Sequence, residues 1–263
     1  MTKKPDEEPV VAEQTKEIAN YDEMLAAMAK KATAIEKPTT SSIGTRAGIL
    51  TYNGTPVPDN KLSVIIIAST HANLYYEGDY DEKNPTNPVC YAYSEDGENM
   101  VPHPKSSKPQ HTDCENCPWN RWESDPKGGR GKACKNTRRL ALIPADTTLE
   151  DLKTAEIATM QLPVTSVKVW AQYVNKLSTL FARPPLGVYT TIGSVPDRDT
   201  TFKLTFLNGP LVDVSMIMAL VEKASVTQEQ LERVYEPNPE LTEEEIAAKA
   251  EREAAGAKRG KRF

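Results

Sequence analysis

Four cysteines, the only ones in a chain of 263 residues, all fall between positions 90 and 134. Their spacing is Cys90-x23-Cys114-x2-Cys117-x16-Cys134. A C-x2-C pair sets two thiolates on one tight knuckle, at a separation that a tetrahedral ion spans. One further cysteine on each side completes a set of four. The surrounding segment, 78–136, has no hydrophobic period, and a loop of that length is hard to hold inside a compact domain. A metal can organise a segment that lacks a core of its own. The pattern therefore predicts one structural ion on Cys90, Cys114, Cys117 and Cys134.

Four thiolates in a structural ribbon suit zinc. A [4Fe–4S] cluster is the alternative, although the spacing does not match the ferredoxin runs. His103 and His111 lie near enough in sequence to replace one cysteine. A metal-free reading also stands: reduced structural thiols, or a labile Cys114–Cys117 pair, although a thioredoxin-like motif calls for a βαβ context that is missing here. Four thiolates leave no open coordination position, so a catalytic metal is not expected.

The net charge is −5, which favours solubility and leaves the choice of partner to local patches. The longest apolar run, Val64-Ile-Ile-Ile-Ala68, is strand-sized and far short of a membrane span. The N-terminus is charged and has no apolar signal core. A cytoplasmic location is the default expectation, and there disulfides do not persist.

Along the chain, residues 1–42 read as a polar tail with a short helix over Asn20–Ile35 and a linker at Lys37–Ser42. Residues 43–235 read as the core, interrupted by the insertion at about 78–136. Residues 236–263 read as a charged tail, acidic over Glu240–Glu253 and basic at Lys258–Arg262. Within the core, strands are predicted at Arg46–Tyr52, Leu62–Ser69, Arg138–Ile143, Val188–Ile192 and Thr201–Leu207. Helices are predicted at Thr148–Ala158, Thr165–Phe181 (capped by Thr165 or Ser166, with a Val169, Tyr173, Leu177, Leu180 stripe), Met216–Val221 and Val226–Val234. With the insertion set aside, a helix falls between strands three and four. The fold class expected is mainly β with helices, an α+β arrangement: an OB-like five-stranded barrel, of the kind that binds oligonucleotides or oligosaccharides on one face.

Beside the cysteines, Trp119–Arg139 carries Arg121, Lys127, Arg130, Lys132, Lys135, Arg138 and Arg139 against Glu123 and Asp125, a local charge of +5. Clustered positive charge is the footprint of a polyanion partner. Trp119 and Trp122 interleave with it, and Tyr91 and Tyr93 flank Cys90. Aromatic rings that stack on bases, with Lys and Arg on the phosphates, grip single strands without reading sequence. The plainer reading packs the tryptophans over the metal knuckle and leaves the charges as a solvated face. Gly128-Gly-Arg-Gly-Lys132 is not a phosphate-binding P-loop, because Pro126 and Ala133 stand where a glycine and a hydroxyl are needed. No catalytic constellation is present: His71, His103 and His111 have no evident nucleophile partner. Asp79, Asp81, Glu95 and Asp96 form an acidic loop that reads as solvated.

Several runs resemble a group of small early proteins of tailed phages associated with single-stranded DNA binding. They are Pro88-Val-Cys-Tyr-Ala-Tyr93, Cys114-x2-Cys117-Pro-Trp-Asn-x-Trp122, Gly129-Arg-Gly-Lys-Ala-Cys134-Lys and Arg138-Arg-Leu-Ala-Leu142. Leu162-Pro-Val-Thr-Ser166 and the strands around Val188 and Phe206 also fit, so the resemblance spans about 43–225. It implies a non-enzymatic protein of phage replication or recombination in the cytoplasm of an infected bacterium. Its ligand would be single-stranded DNA, with replisome or recombination proteins as possible partners of the C-terminal tail. Two alternatives stay open. One is a zinc-ribbon module that recruits a replication or transcription protein. The other is a nucleic-acid enzyme carrying an iron–sulfur cluster.

Overall fold

The structure, a computed structural model, describes Tyr21, Met24, Leu25, Met28, residues 41–78 and residues 86–238. The chain divides into one unit at Met1–Ser41 and another at Ser42–Phe263. In the first, Tyr21, Met24, Leu25 and Met28 are helical and exposed; the rest of the Asn20–Ile35 helix lies outside the described residues. So do most of both tails and Asp79 and Asp81 of the acidic loop.

The second unit is built on one long strand. Its apolar run, Val64–Ile67, alternates between two buried faces and is rich in the β-branched residues that fill a pleated surface. The strand formed, β4 (Lys61–Tyr75), is 15 residues long and reaches well past the predicted Leu62–Ser69. Along one edge it pairs antiparallel with β6 (Lys135–Pro144). Its other edge is shared: β8 (Val188–Asp197) takes Lys61–Ile65, and β5 (Cys90–Ser94) takes His71–Tyr75. The register slips between Ile66 and Ala68, so Ile67 is an extra residue that bends the strand.

Around this spine run β1 (Ser41–Gly44), β2 (Thr51–Tyr52), β3 (Thr55–Pro56), β7 (Ala158–Gln161) and β9 (Thr201–Leu211). They form one sheet in the order β3-β2-β1-β7-β6-β4-β8-β9, with β5 on β4. The fold is mixed α+β, a curled sheet with two helices. The sheet has nine strands where five were expected: β1, β3, β5 and β7 are short or lie in segments without a period, and of the expected Arg46–Tyr52 strand only β2 forms.

Helix α1 (Val164–Phe181) covers one face, packing Trp170, Tyr173 and Leu177 on Val64, Ile66, Leu140, Leu142 and Phe206. Its stripe lies slightly off the predicted one, and Leu180 is exposed. Ser166 does not cap it. Pro163 stands at the N-cap, and the buried Ser166 hydroxyl accepts from the Leu204 amide at 3.1 Å, tying helix to sheet. Helix α2 (Val214–Leu231) covers the other face, packing Met216, Leu220 and Leu231 on Ile65, Ile67, Ala141 and Ile143. Two helices were expected here. There is one, capped by Asp213, because Thr227 bonds back to the Lys223 carbonyl at 2.6 Å inside the helix. Thr148–Ala158 forms turns instead of a helix, and Arg46–Gly48 is a 3-10 turn between β1 and β2.

Candidate metal centre and nucleic-acid interface

The far end of β4 gathers the cysteines. Cys90 opens β5 directly opposite Tyr75, and Lys135, next to Cys134, opens β6 opposite Leu74. Strand pairing alone thus draws the first and last cysteines, 44 positions apart in the chain, to the two flanks of one strand. The loop between supplies Cys114 and Cys117. Asp113 starts it by accepting the Asn116 amide at 2.6 Å. The amide of Cys114 bonds the Met100 carbonyl at 2.9 Å, and that of Cys134 bonds the Trp119 carbonyl at 2.8 Å. A 3-10 turn, Pro118–Asn120, follows Cys117.

All four thiols are buried and unpaired by disulfides. They line one cavity, with about 10 Å³ of open space inside, close to what a single water-sized sphere occupies. Among the described residues, no group of three or more His, Cys, Asp or Glu is drawn in to the separation that holds a metal ion. Burial pushes the Cys134 thiol up to about 12, with Cys114, Cys117 and Cys90 adding to the shift. Burial also raises Cys90 and Cys114. Of the two candidate replacement ligands, His111 lines the cavity and its Nδ1 lies 3.3 Å from Asp113. His103 is not among the lining residues and stacks on the ring of Tyr91 with centroids 4.9 Å apart.

An amide network ties this loop to the sheet. The Asn136 side chain donates to Oδ1 of Asn73 and, at 2.9 Å, to Oδ1 of Asn120. Asn120 in turn donates to the Cys114 carbonyl at 2.7 Å. Asn73 is buried in β4, and its amide nitrogen meets the Met100 sulfur at 3.4 Å. Nothing in local sequence signals these asparagines, because their partners come from segments far apart in the chain.

The basic segment is ordered around Asp125. Its carboxylate accepts from Lys135 Nζ at 2.8 Å and from the Lys127 amide at 3.1 Å, and these bonds lower its pKa from the usual carboxylate value. Gly128 and Gly129 both take φ 84°, left-handed backbone that suits glycine. Arg121, Lys127 and Arg130 are exposed, while Lys132, Lys135 and Arg138 are half-buried. Trp119 is half-buried, its ring 5.4 Å from that of Tyr75. Trp122 is 73% exposed. Lys132 Nζ lies 5.4 Å from its ring centroid and 3.3 Å from Oδ1 of Asn120.

Three of the aromatic and basic candidates face elsewhere. Strand alternation turns Tyr91 and Tyr93 away from Cys90, toward the chain that follows α2. Tyr91 is fully buried against Tyr235, and the Tyr93 hydroxyl donates to the Arg233 carbonyl at 2.9 Å. Arg139 is buried too and donates to the Leu231 carbonyl at 2.6 Å, at the end of α2. Tyr91 and Arg139 therefore have no surface to offer a nucleic acid, and they act in the core. Glu95 and Asp96 form a tight turn, in which Asp96 accepts from Ser94 Oγ at 2.7 Å and the Glu98 amide at 2.8 Å.

Beside the cysteine cavity opens a polar cleft of about 430 Å³, lined by Asn73, Gly97, Glu98, Asn99, Met100, Cys114, Glu115 and Asn120. Among the described residues, no helix is long and apolar enough to cross a membrane. The chain matches no protein-family model, no curated protein and no solved structure. The resemblance to the phage group thus stands on the quoted motifs alone.

Proposed function

We propose that the chain binds single-stranded DNA without strict sequence readout, in phage replication or recombination. In this reading one zinc ion on Cys90, Cys114, Cys117 and Cys134 holds the loop that carries the grip, and the curled sheet serves as an OB-like platform. The observation that carries the reading is Trp122. Its indole is 73% exposed, under the ammonium of Lys132 and in the segment that also presents Arg121, Lys127 and Arg130. A large ring left in water beside clustered cations has the composition of a base-stacking grip.

The thiols fit the ion by chemistry. Four soft donors line one cavity, and four thiolates suit zinc. Bound there, zinc would hold the thiols as thiolates and stiffen the loop without taking part in a reaction. Trp119 would stack or pack according to how far it leaves Tyr75. Lys135 and Arg138 would add charge at the edge of the site. The host cytoplasm as location, and replication partners on the C-terminal tail, follow from the resemblance and form part of the same proposal.

The test is fluorescence anisotropy of a labelled oligo-dT at two salt concentrations. With four phosphate contacts, from Arg121, Lys127, Arg130 and Lys132, affinity falls roughly 50-fold between about 50 and about 200 mM salt. Absence of binding at the lower salt, with zinc present and the fold intact, rejects the reading.

The second reading is a module that docks on a replication or transcription protein. It is favoured by Val214, Met218 and Val221, which form an exposed apolar stripe along α2. Oligo-dT binding that is absent or insensitive to Trp122→Ala would move the assignment to it.

A further inference from the structure

The cleft beside the cysteines has walls of uncommon chemistry. Its volume, about 430 Å³, is in the range of small-ligand sites and larger than one nucleobase needs. Two carboxylates line it, Glu98 and Glu115, both exposed, so a phosphate is repelled. Asn73, Asn99 and Asn120 supply amides that both donate and accept, and Met100 supplies an apolar surface. Asn73 is 93% buried by its 7% exposure. In the hydrogen bonds it makes, its amide nitrogen meets only sulfur, that of Met100 at 3.4 Å and the Cys114 thiol. Sulfur is a weak acceptor, so this amide nitrogen has partners but weak ones.

Lys132 links the cleft wall to the exposed tryptophan. Its Nζ lies 3.3 Å from Oδ1 of Asn120, which lines the cleft, and 5.4 Å from the Trp122 ring centroid. A group stacked on Trp122 and a group in the cleft would thus flank one ammonium, as two neighbouring bases flank a phosphate.

We propose that this cleft is a base pocket that selects nucleobases bearing an exocyclic amino group. The inference rests on the single-strand reading and names what that strand places here: one base enters, its neighbour stacks on Trp122, and Lys132 holds the phosphate between them. The carboxylates of Glu98 and Glu115 accept from an amino group, as acidic side chains accept from cytosine N4. They repel the carbonyl that thymine presents in the same place. Binding is therefore tolerant of sequence along the strand but biased at this one position.

The cleanest comparison uses equal-length oligo-dT, oligo-dC and oligo-d(5-methyl-C) with the full chain, its zinc content measured. Thymine and 5-methylcytosine both carry the C5 methyl and differ on the base-pairing edge, at the 4-substituent and N3, so stacking contributes little to the contrast. Both cytosine strands should bind roughly tenfold tighter than oligo-dT, the scale of one good base-edge contact. In the double variant Glu98→Gln, Glu115→Gln, at exposed positions, the preference should collapse to within about twofold while oligo-dT binding holds or tightens. Asn99→Ala should weaken the cytosine strands alone. Equal binding of all three strands by the native chain overturns the pocket and leaves the single-strand reading standing. A preference that survives in the double variant also overturns it. Failure to bind any strand overturns both.

Discussion

The side-chain amide of Asn136, at the start of β6, donates to Oδ1 of Asn120 on the cysteine loop at 2.9 Å. Asn120 passes the connection to the Cys114 carbonyl at 2.7 Å. The loop thus has an attachment to the core that does not depend on its thiols. Asn136→Ala leaves the partly buried acceptor on Asn73 without the Asn136 donor and that on Asn120 with Lys132 alone, which costs about 1–3 kcal/mol. Denaturant unfolding should show that loss, and thiol-reactive dye should label the cysteines faster in the folded variant.

The arginines of the basic segment separate into two kinds. Arg139 donates to the Leu231 carbonyl from within the core, with its guanidinium 5.9 Å from the Tyr93 ring centroid. Arg139→Ala should destabilise the chain by about 1.5–3 kcal/mol, because it removes a buried charge-assisted hydrogen bond and leaves that carbonyl with the Arg233 amide alone, at 3.1 Å. Arg121 is exposed, and Arg121→Ala should change stability by no more than about 0.5 kcal/mol. It should instead weaken oligonucleotide binding and flatten its salt dependence by about 0.7 in the log–log slope. Thermal melts and salt titrations on the same two variants check both halves.

Metal removal should act on the loop before the sheet. The strands β4, β6 and β8 have their own two-sided core, whereas the segment around Cys114–Cys134 is anchored by polar contacts and the proposed ion. A strong chelator should therefore release one zinc per chain and expose four reactive thiols while far-UV circular dichroism changes little. Cys134→Ser should abolish stoichiometric zinc binding.

His71 gives the fold a pH dependence of known sign. Burial first, then the neighbouring Arg138, holds its imidazole below the ordinary value, against weaker help from the Glu95 and Ser94 backbone. The unfolded chain then binds the proton more readily than the folded one. The contribution of the neutral ring to stability is complete above about pH 6.5, the unfolded value, and is lost as pH falls from there through the lower folded value. Urea unfolding across this window should show stability falling with acid in the native chain and a shallower fall in His71→Gln.

How much of this was legible in the sequence depended on how local each signal was. The gathering of the four cysteines round one cavity was legible because their C-x2-C spacing is a local pattern, and β4 because its β-branched run could fit only a doubly covered strand. Arg139 and Tyr91 misled because charge and aromaticity were counted without their phase. Arg139 is two and four positions before Ala141 and Ile143, and that alternation puts it on the face that α2 covers. Val226–Val234 read as a separate helix because the hydroxyl of Thr227 serves equally well to cap a new helix or to bond back within an existing one. The Asn73, Asn120 and Asn136 network and the cleft beside it left no mark, since each joins segments that only strand pairing brings together.

The chain has three tryptophans, and the account rests on one of them. In the variant Trp119→Phe, Trp170→Phe, loaded with zinc and shown to be folded, Trp122 is the sole reporter. Its emission should be quenched on adding oligo-dT at low salt and recover as salt is raised, because stacking and phosphate contact are made together. Emission that stays unchanged at saturating oligo-dT and the lowest salt would contradict the claim that Trp122 is the base-stacking surface of a single-strand binder.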